Sequence, residues 1–198
     1  MKYFHKIIVG IIFINLLFYS CNPNYRKETH DENGTLETRE FYEDGKLVQF
    51  ISFYPSGAKR LEKFFDKKSG LMSGPYFEYY ENGTIMKKGT AIAGKLEDTV
   101  FVYYPNKKIQ EIEMYKKGIK HGDLIYFHPN GQVGAIGKYV NDSLDGRWVI
   151  YDNDGKKIAI KEYSLGKLIK IDSVKDNLDH IEQIEQIDPN AVEIKANK

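Results

Sequence analysis

Among the 28 acids and five histidines of this 198-residue chain, two pairs are the first candidates for catalysis or metal binding, Glu111 with Glu113 and His121 with His128. Glu111 and Glu113 are two positions apart, which places both carboxylates on one face of a β-strand. Paired carboxylates can act as general acid and base when a cleft separates their pKa values. His121 and His128 could bind a metal ion if a carboxylate or thiolate converged on them.

The surrounding sequence favours structural roles for these four residues. An open sheet would expose the two glutamates to water, where lysines of neighbouring strands would pair with them. The candidate partners are Lys87, Lys88 and Lys138. His121 lies in a predicted turn, and His128 occupies the position that Tyr80 and Tyr104 hold in other units. The chain has no Gly-x-Ser-x-Gly and no phosphate-binding loop. We therefore predict no catalytic residue, no metal site and no cofactor.

Cys21 is the single cysteine, so no disulfide can form within the chain. The chain begins with a short basic segment that contains Lys2 and Lys6. An apolar run follows from Ile7 to Tyr19, which is too short to span a bilayer and is typical of a signal peptide. The segment ending in Ser20 and Cys21 resembles a bacterial lipobox, which implies that Cys21 is the lipid attachment site. We expect a signal peptide over residues 1–20, a lipidated flexible tether over 21–33 and a membrane-anchored lipoprotein of the bacterial cell envelope.

The formal net charge of the chain is +1, and it falls to −1 once residues 1–20, with two lysines and no acids, are removed. A nearly neutral protein has no electrostatic reason to bind nucleic acid. We therefore expect no nucleic-acid partner.

Glycine and aromatic residues recur at an interval of 24 residues, which indicates an array of one small unit. One aromatic series, Tyr79, Tyr103, Phe127 and Tyr151, and three series that are mostly glycine carry the repeat. The three glycine series are Gly83, Lys107, Gly131 and Gly155; Gly70, Gly94, Gly118 and Asp142; and Gly74, Asp98, Gly122 and Gly146. Aromatic and β-branched residues lie between these turn signals, so each unit is predicted to be a β-hairpin. The fold class is then all-β, an elongated single-layer antiparallel sheet of stacked hairpins over residues 34–171.

Alternation along the strands assigns side chains to two faces. Phe77, Phe101, Ile125 and Val149 are predicted to share one face with the tyrosine or phenylalanine two positions later. The opposite face is mixed, with Tyr76, Val100, Leu124 and Trp148 among its residues.

The pattern Tyr-x-x-Gly, then Gly-x-aromatic or aliphatic, then Tyr and Asn-Gly, resembles the MORN-repeat family in its bacterial variant form. It is clearest from Tyr115 to Tyr126 and again from Tyr139 to Tyr151. The arrangement is also similar to that of YwqK-family antitoxins. The resemblance implies an elongated, twisted antiparallel sheet that serves as an interaction surface.

Beyond Ile171 the period changes. Leu178, Ile181, Ile184 and Ile187 recur every three residues before Pro189, which predicts a short amphipathic helix over 172–188 that caps the last strand. A partner-binding helix is the alternative. Residues 189–198 are predicted to be a disordered tail.

The aromatic residues are the remaining candidates for binding, because flat amphipathic rings suit both sugars and peptides. They could equally be the hydrophobic spine of a thin sheet. The candidate binding residues are Trp148 and the three residues expected to be exposed by their position in the repeat, Tyr80, Tyr104 and His128. We predict a non-catalytic, lipid-anchored envelope protein that presents an extended β-surface to an unknown protein partner. That partner could be a toxin, and the alternative function is glycan binding by the aromatic ladders.

Overall fold

A computed structural model describes residues 24–173, and every regular element in that range is a β-strand. Thirteen strands form one sheet in which each strand pairs antiparallel with the strand before and after it in the chain. The strands are β1 (Tyr25–His30), β2 (Leu36–Glu43), β3 (Lys46–Phe53), β4 (Lys59–Phe65), β5 (Met72–Tyr79), β6 (Ile85–Ile92), β7 (Lys95–Tyr103), β8 (Ile109–Lys116), β9 (Ile119–Phe127), β10 (Val133–Val140), β11 (Ser143–Tyr151), β12 (Lys157–Ser164) and β13 (Lys167–Ser173). The predicted all-β, single-layer hairpin array is confirmed.

Tight two-residue turns join pairs of consecutive strands at one end of the strands. In five of them both central residues have positive φ, as in type I′ hairpin turns. The pairs are Asp44-Gly45, Ala93-Gly94, Lys117-Gly118, Asn141-Asp142 and Leu165-Gly166. In the last four of these turns the second residue also donates its backbone N–H to the preceding hairpin, as from Gly118 to the Leu96 carbonyl at 2.8 Å. Each of these four turns therefore ties its own unit to the one before.

At three positions of the repeat, a residue other than glycine replaces the glycine found in the other units. The backbone at these positions keeps the positive φ of the equivalent glycines. Lys107 has a φ of 69°, Asp98 of 65° and Asp142 of 63°. These values fall in the left-handed region, which costs a residue with a Cβ roughly 1–2 kcal/mol. Lys107 and Asp142 lie in turns and Asp98 lies within β7, and at all three positions the array stays regular although its sequence departs from the pattern.

The two faces of the sheet differ in composition. One face, here called the aromatic-core face, contains the cluster of Phe101, Ile112, Ile125 and Phe127, each no more than 6% exposed. Ile112 is the cross-strand partner of both Phe101 and Ile125, so the predicted ladder of apolar side chains is confirmed. The other face, here called the tyrosine face, carries Tyr76, Tyr115, Tyr126 and Tyr139, which alternate with the residues of the aromatic-core face along their strands.

The ends of the sheet differ from the prediction. The tether predicted for residues 21–33 contains β1, which pairs with β2 from Tyr25 to His30, so the sheet begins nine residues before the expected Gly34. The alternating side chains of β1 explain this, because Glu28 receives a hydrogen bond from Arg39 at 2.7 Å. At the other end, residues 172 and 173 belong to β13 and not to a helix. The predicted signal peptide, Cys21, the rest of the predicted helix and the tail lie outside the described residues.

Candidate binding face

A buried carboxylate lies at the centre of the tyrosine face. Glu113 of β8 is 3% exposed, and its pairing with Val100 of β7 and Leu124 of β9 places it between two buried apolar side chains. Lys87 Nζ lies 3.5 Å from one carboxylate oxygen of Glu113, and Lys120 forms an ion pair with the other. A charge removed from water requires such partners.

The two neighbouring carboxylates of β8 have opposite pKa shifts. Burial alone would raise the pKa of Glu113, but the hydrogen bond from Lys120 and the charge of Lys87 outweigh it, and the pKa is lowered. Burial and the nearby Glu113 raise the pKa of Glu111. Glu113 therefore stays ionised to a lower pH than Glu111, as expected for two carboxyls that share a site.

The tyrosines of this face are held by carboxylates on the same strand. Tyr115 donates its hydroxyl to Glu113 at 3.1 Å, and Tyr76 donates to Glu78. Burial, followed by the adjacent carboxylate, raises the pKa of both tyrosines, so their hydroxyls stay protonated donors. Each side chain is thereby fixed in one orientation.

Lysines lie over two of the rings on this face. Lys87 Nζ is 5.1 Å from the centre of the Tyr115 ring, and Lys120 Nζ is 5.2 Å from that of Tyr139. These are distances of cation–π contact. The centre of the face is thus a continuous network of tyrosine, lysine and glutamate that crosses from β6 to β10.

Three of the four residues predicted for binding form a different feature, here called the ladder, at the end of the strands where five-residue turns such as 104–108 join them. Tyr80 donates its hydroxyl to the Tyr103 carbonyl and Tyr104 to the Phe127 carbonyl, both at 2.7 Å. His128 Nε2 lies 3.0 Å from the Tyr151 carbonyl. Each of these polar groups therefore joins one unit to the next. Their side chains are half-buried, not fully exposed as expected from their position in the repeat.

Trp148 also lies on the tyrosine face, but its ring is 7% exposed. The ring packs on Gly137 and between the rings of Tyr139 and Tyr163, which meet it edge-on at 5.6 and 6.2 Å. Its indole nitrogen is buried with no hydrogen-bond partner in the described part of the chain. The structure thus separates the predicted binding residues into an inter-unit ladder and a packed tryptophan. Their role in binding stays a prediction.

The two histidines considered for metal binding lie in different contacts. His121 Nδ1 lies 3.3 Å from Asn141 Oδ1, and His128 belongs to the ladder. Between residues 24 and 173, no group of three or more histidine, cysteine, aspartate or glutamate side chains is placed to hold a metal ion. The same range contains no helix able to cross a membrane.

Sequence reasoning missed the burial of Glu113 and part of its network. The expectation that an open sheet exposes both glutamates to water is wrong for Glu113, because the long side chains of Lys87 and Lys120 cover it. Lys87 is a partner as expected, whereas Lys88 lies over the Phe101 ring on the other face. Lys120 could have been found from its alternation with Leu124 along β9.

Comparison with known proteins identifies the repeat. A family model described as "MORN repeat variant" matches residues 72–91, 99–117 and 120–141. No curated protein matches the chain. Among solved structures, 53 chains match. One is titled "Crystal Structure of TarM" and has 13% sequence identity and a TM-score of 0.29 over 61% of this chain. The match spans 20% of that protein's length.

Proposed function

The chain carries three consecutive repeats of the MORN variant family, and from this premise we propose that it is a non-catalytic binding protein whose tyrosine face docks a partner protein. The observation that carries the proposal is the Tyr115, Glu113, Lys87 and Lys120 network, which holds amphipathic rings and cations in fixed positions. MORN repeats are generally non-enzymatic.

Pre-organisation supports a binding role for these side chains. Tyrosine offers a large contact area and a hydroxyl at low entropic cost, and it is enriched where proteins bind one another. A lysine already held between a carboxylate and a ring loses less freedom on binding than a free lysine. The aromatic-core face has its phenylalanines and isoleucines packed against each other instead. The tyrosine face is therefore the better surface for a partner.

The faces can be distinguished by site-specific photocrosslinking in the organism that produces the protein. Lys63 and Lys88 are both half-buried lysines, but Lys63 pairs with Tyr76 on the tyrosine face and Lys88 with Phe101 on the other. A crosslinking residue at position 63 should capture one defined protein, and the same residue at position 88 should not. Equal capture from both positions would overturn the assignment of the face.

The specific role that we propose within this function is neutralisation of a toxin by binding. Its support is the resemblance of the repeat pattern to YwqK-family antitoxins. Coexpression with the product of the adjacent gene tests it. Protection from that product and copurification with it are expected, and the absence of both would contradict the role.

We also propose that Cys21 carries the lipid that anchors the protein to a membrane of the bacterial envelope. Its support is the single cysteine placed directly after the predicted signal peptide. Metabolic labelling with a fatty-acid analogue should mark the wild-type chain and not Cys21→Ala. Equal labelling of the two would overturn the anchor without affecting the binding function.

Glycan binding, the alternative considered from the sequence, gains no support from the geometry. Stacking on a sugar needs an open aromatic ring, and Trp148 is buried between two tyrosines.

A further inference from the structure

Exposed apolar side chains are concentrated on the last hairpin of the sheet. Among the described residues, five of the eight large hydrophobic side chains that are exposed belong to β12, β13 or the turn between them. They are Ile158, Leu165, Leu168, Ile169 and Ile171, which are between 41% and 78% exposed. Exposed apolar side chains that are concentrated in this way indicate a contact site.

Strand register places part of this surface on the tyrosine face. Leu168 is the cross-strand partner of Tyr163, and Ile171 is the partner of Lys161, which in turn pairs with Trp148. Leu168, Ile171 and Tyr163 are here called the terminal patch. The patch continues the packed rings around Trp148 to the end of the described sheet, where β13 also presents unpaired backbone groups.

The charge of the last hairpin restricts what can cover the terminal patch. Five lysines lie between residues 156 and 170, against two acids in the whole hairpin. The lysines are Lys156, Lys157, Lys161, Lys167 and Lys170, and the acids are Glu162 and Asp172. A second copy of the chain that paired through β13 would add a second hairpin with the same excess of lysines, which is unfavourable. A suitable occupant is apolar and acidic.

The chain itself continues from β13 with such a segment. Residues 174–188 carry four large aliphatic residues at intervals of three, and five acids accompany them with no lysine or arginine after Lys175. The aliphatic residues are Leu178, Ile181, Ile184 and Ile187, and the acids are Asp176, Asp179, Glu182, Glu185 and Asp188. Because the segment is attached to β13, its effective concentration at the patch is high.

We propose that residues 174–188 fold back on the last hairpin and cover the terminal patch, with their aliphatic side chains on Leu168 and Ile171 and their acids beside Lys161, which lies on the same face. The lengths agree. Thirteen residues of helix, the form that the spacing predicts for 176–188, span about 20 Å, and the seven residues of β13 span about 23 Å. The contact protects the open strand from other chains.

Amide hydrogen exchange of β13 in the full chain tests the proposal. The double variant Ile181→Asp/Ile184→Asp removes the aliphatic contact, and we expect it to speed exchange of β13 amides at least tenfold. Ile194→Asp is the matched control, because it introduces the same change beyond Pro189, and it should leave β13 unchanged. Since β7 to β9 make no contact with the proposed segment, their exchange should be the same in all three proteins. Equal exchange of β13 in wild type and the double variant would overturn the proposal.

A charge exchange tests the same contact from the other side. Lys161→Glu should speed exchange of β13, and adding Glu182→Lys/Glu185→Lys should restore it. Failure of the added pair to restore protection would argue against the pairing. Light scattering addresses the competing occupant, because a dimer that persists in Ile181→Asp/Ile184→Asp while β13 stays protected would assign the patch to a second copy and overturn the proposal.

Discussion

The buried carboxylate of Glu113 provides the sharpest test of the network on the tyrosine face. Glu113→Gln keeps the size of the side chain and an oxygen that can accept the Tyr115 hydroxyl, but it removes the charge that faces Lys87 and Lys120. Removing one partner of a buried ion pair costs about 3–5 kcal/mol. The lysine side chains are 21% and 29% exposed, so both can recover part of their hydration. We therefore expect the free energy of unfolding to fall by about 2 kcal/mol at pH 7.

The pH dependence of this loss is fixed by the direction of the pKa shift. The pKa of Glu113 is lowered in the folded protein, so its carboxylate stabilises the fold above the ordinary glutamate pKa, and that contribution is lost as the pH falls through the lowered value. The difference between wild type and Glu113→Gln should therefore be full at pH 7 and shrink below about pH 4.

Urea unfolding of both proteins between pH 7 and about pH 3.5 measures the difference in their free energies of unfolding. The ordinary glutamate pKa lies within this range. Trp148 fluorescence and far-ultraviolet circular dichroism should be followed together, because a repeat array can unfold in steps. A loss that stays the same at both ends of the pH range, or one below about 0.5 kcal/mol at pH 7, would refute the assignment of a charged, paired Glu113.

Glu111→Gln is the matched control, two residues away on the same strand and face. Its pKa is raised, so Glu111 stabilises the fold below its unfolded pKa and this contribution is lost as the pH rises through the raised value. Glutamine imitates the neutral form. The variant should therefore gain stability relative to wild type at pH 7 and show no gain at acid pH, the opposite trend to Glu113→Gln.

Three further substitutions test the repeat geometry by urea unfolding. Lys107→Gly removes a side chain from a turn residue with positive φ and should stabilise the protein by about 1 kcal/mol. Gly137→Ala would place a Cβ 2.1 Å from the Trp148 ring and should destabilise by about 3 kcal/mol. Tyr104→Phe removes the hydroxyl that bonds the Phe127 carbonyl and should cost about 1 kcal/mol.

Each of these three results has its own control. Gly131→Ala, at the position equivalent to 107 with a φ of 97°, should destabilise, and a neutral effect would contradict the turn argument. Adding Trp148→Leu to Gly137→Ala should recover part of the loss, whereas strict additivity would deny the contact. Tyr103→Phe, beside Tyr104 but with its ring on the aromatic-core face, should cost less than Tyr104→Phe; equal losses would deny the ladder.

The repeat made much of the fold predictable, because a period of 24 residues locates every hairpin from its turn residues. Lys107, Asp98 and Asp142 break the glycine pattern but keep the glycine conformation, so the periodic context was a better guide than the residue type. Burial was harder to predict. Alternation assigns Glu113 to a face, but only the reach of Lys87 and Lys120 across the strands determines that water is excluded from it.

Non-periodic segments were the least predictable. β1 carries charged residues in a region without a repeat signal, and its pairing depends on contacts such as that of Glu28 with Arg39, which connect side chains of different strands. The sequence pattern within one strand does not predict contacts between side chains of different strands. The same holds for the ladder, since the hydroxyl of Tyr80 finds its acceptor 23 residues later in the chain.

The ladder also explains why the last hairpin needs cover. Tyr104 and His128 each bond the unit that follows, but at the next equivalent position Asp152 accepts the backbone N–H groups of Asp154 and Lys156 in its own turn. β12 and β13 therefore follow the last side chain of the ladder, and their tight turn is held to the preceding hairpin by the bond from Gly166. β12 also pairs with β11 along its length, whereas β13 is the last strand of the described sheet and pairs with β12 alone in it. The end of the ladder thus coincides with the start of the exposed apolar surface, so stability at this end of the sheet depends on what covers β13.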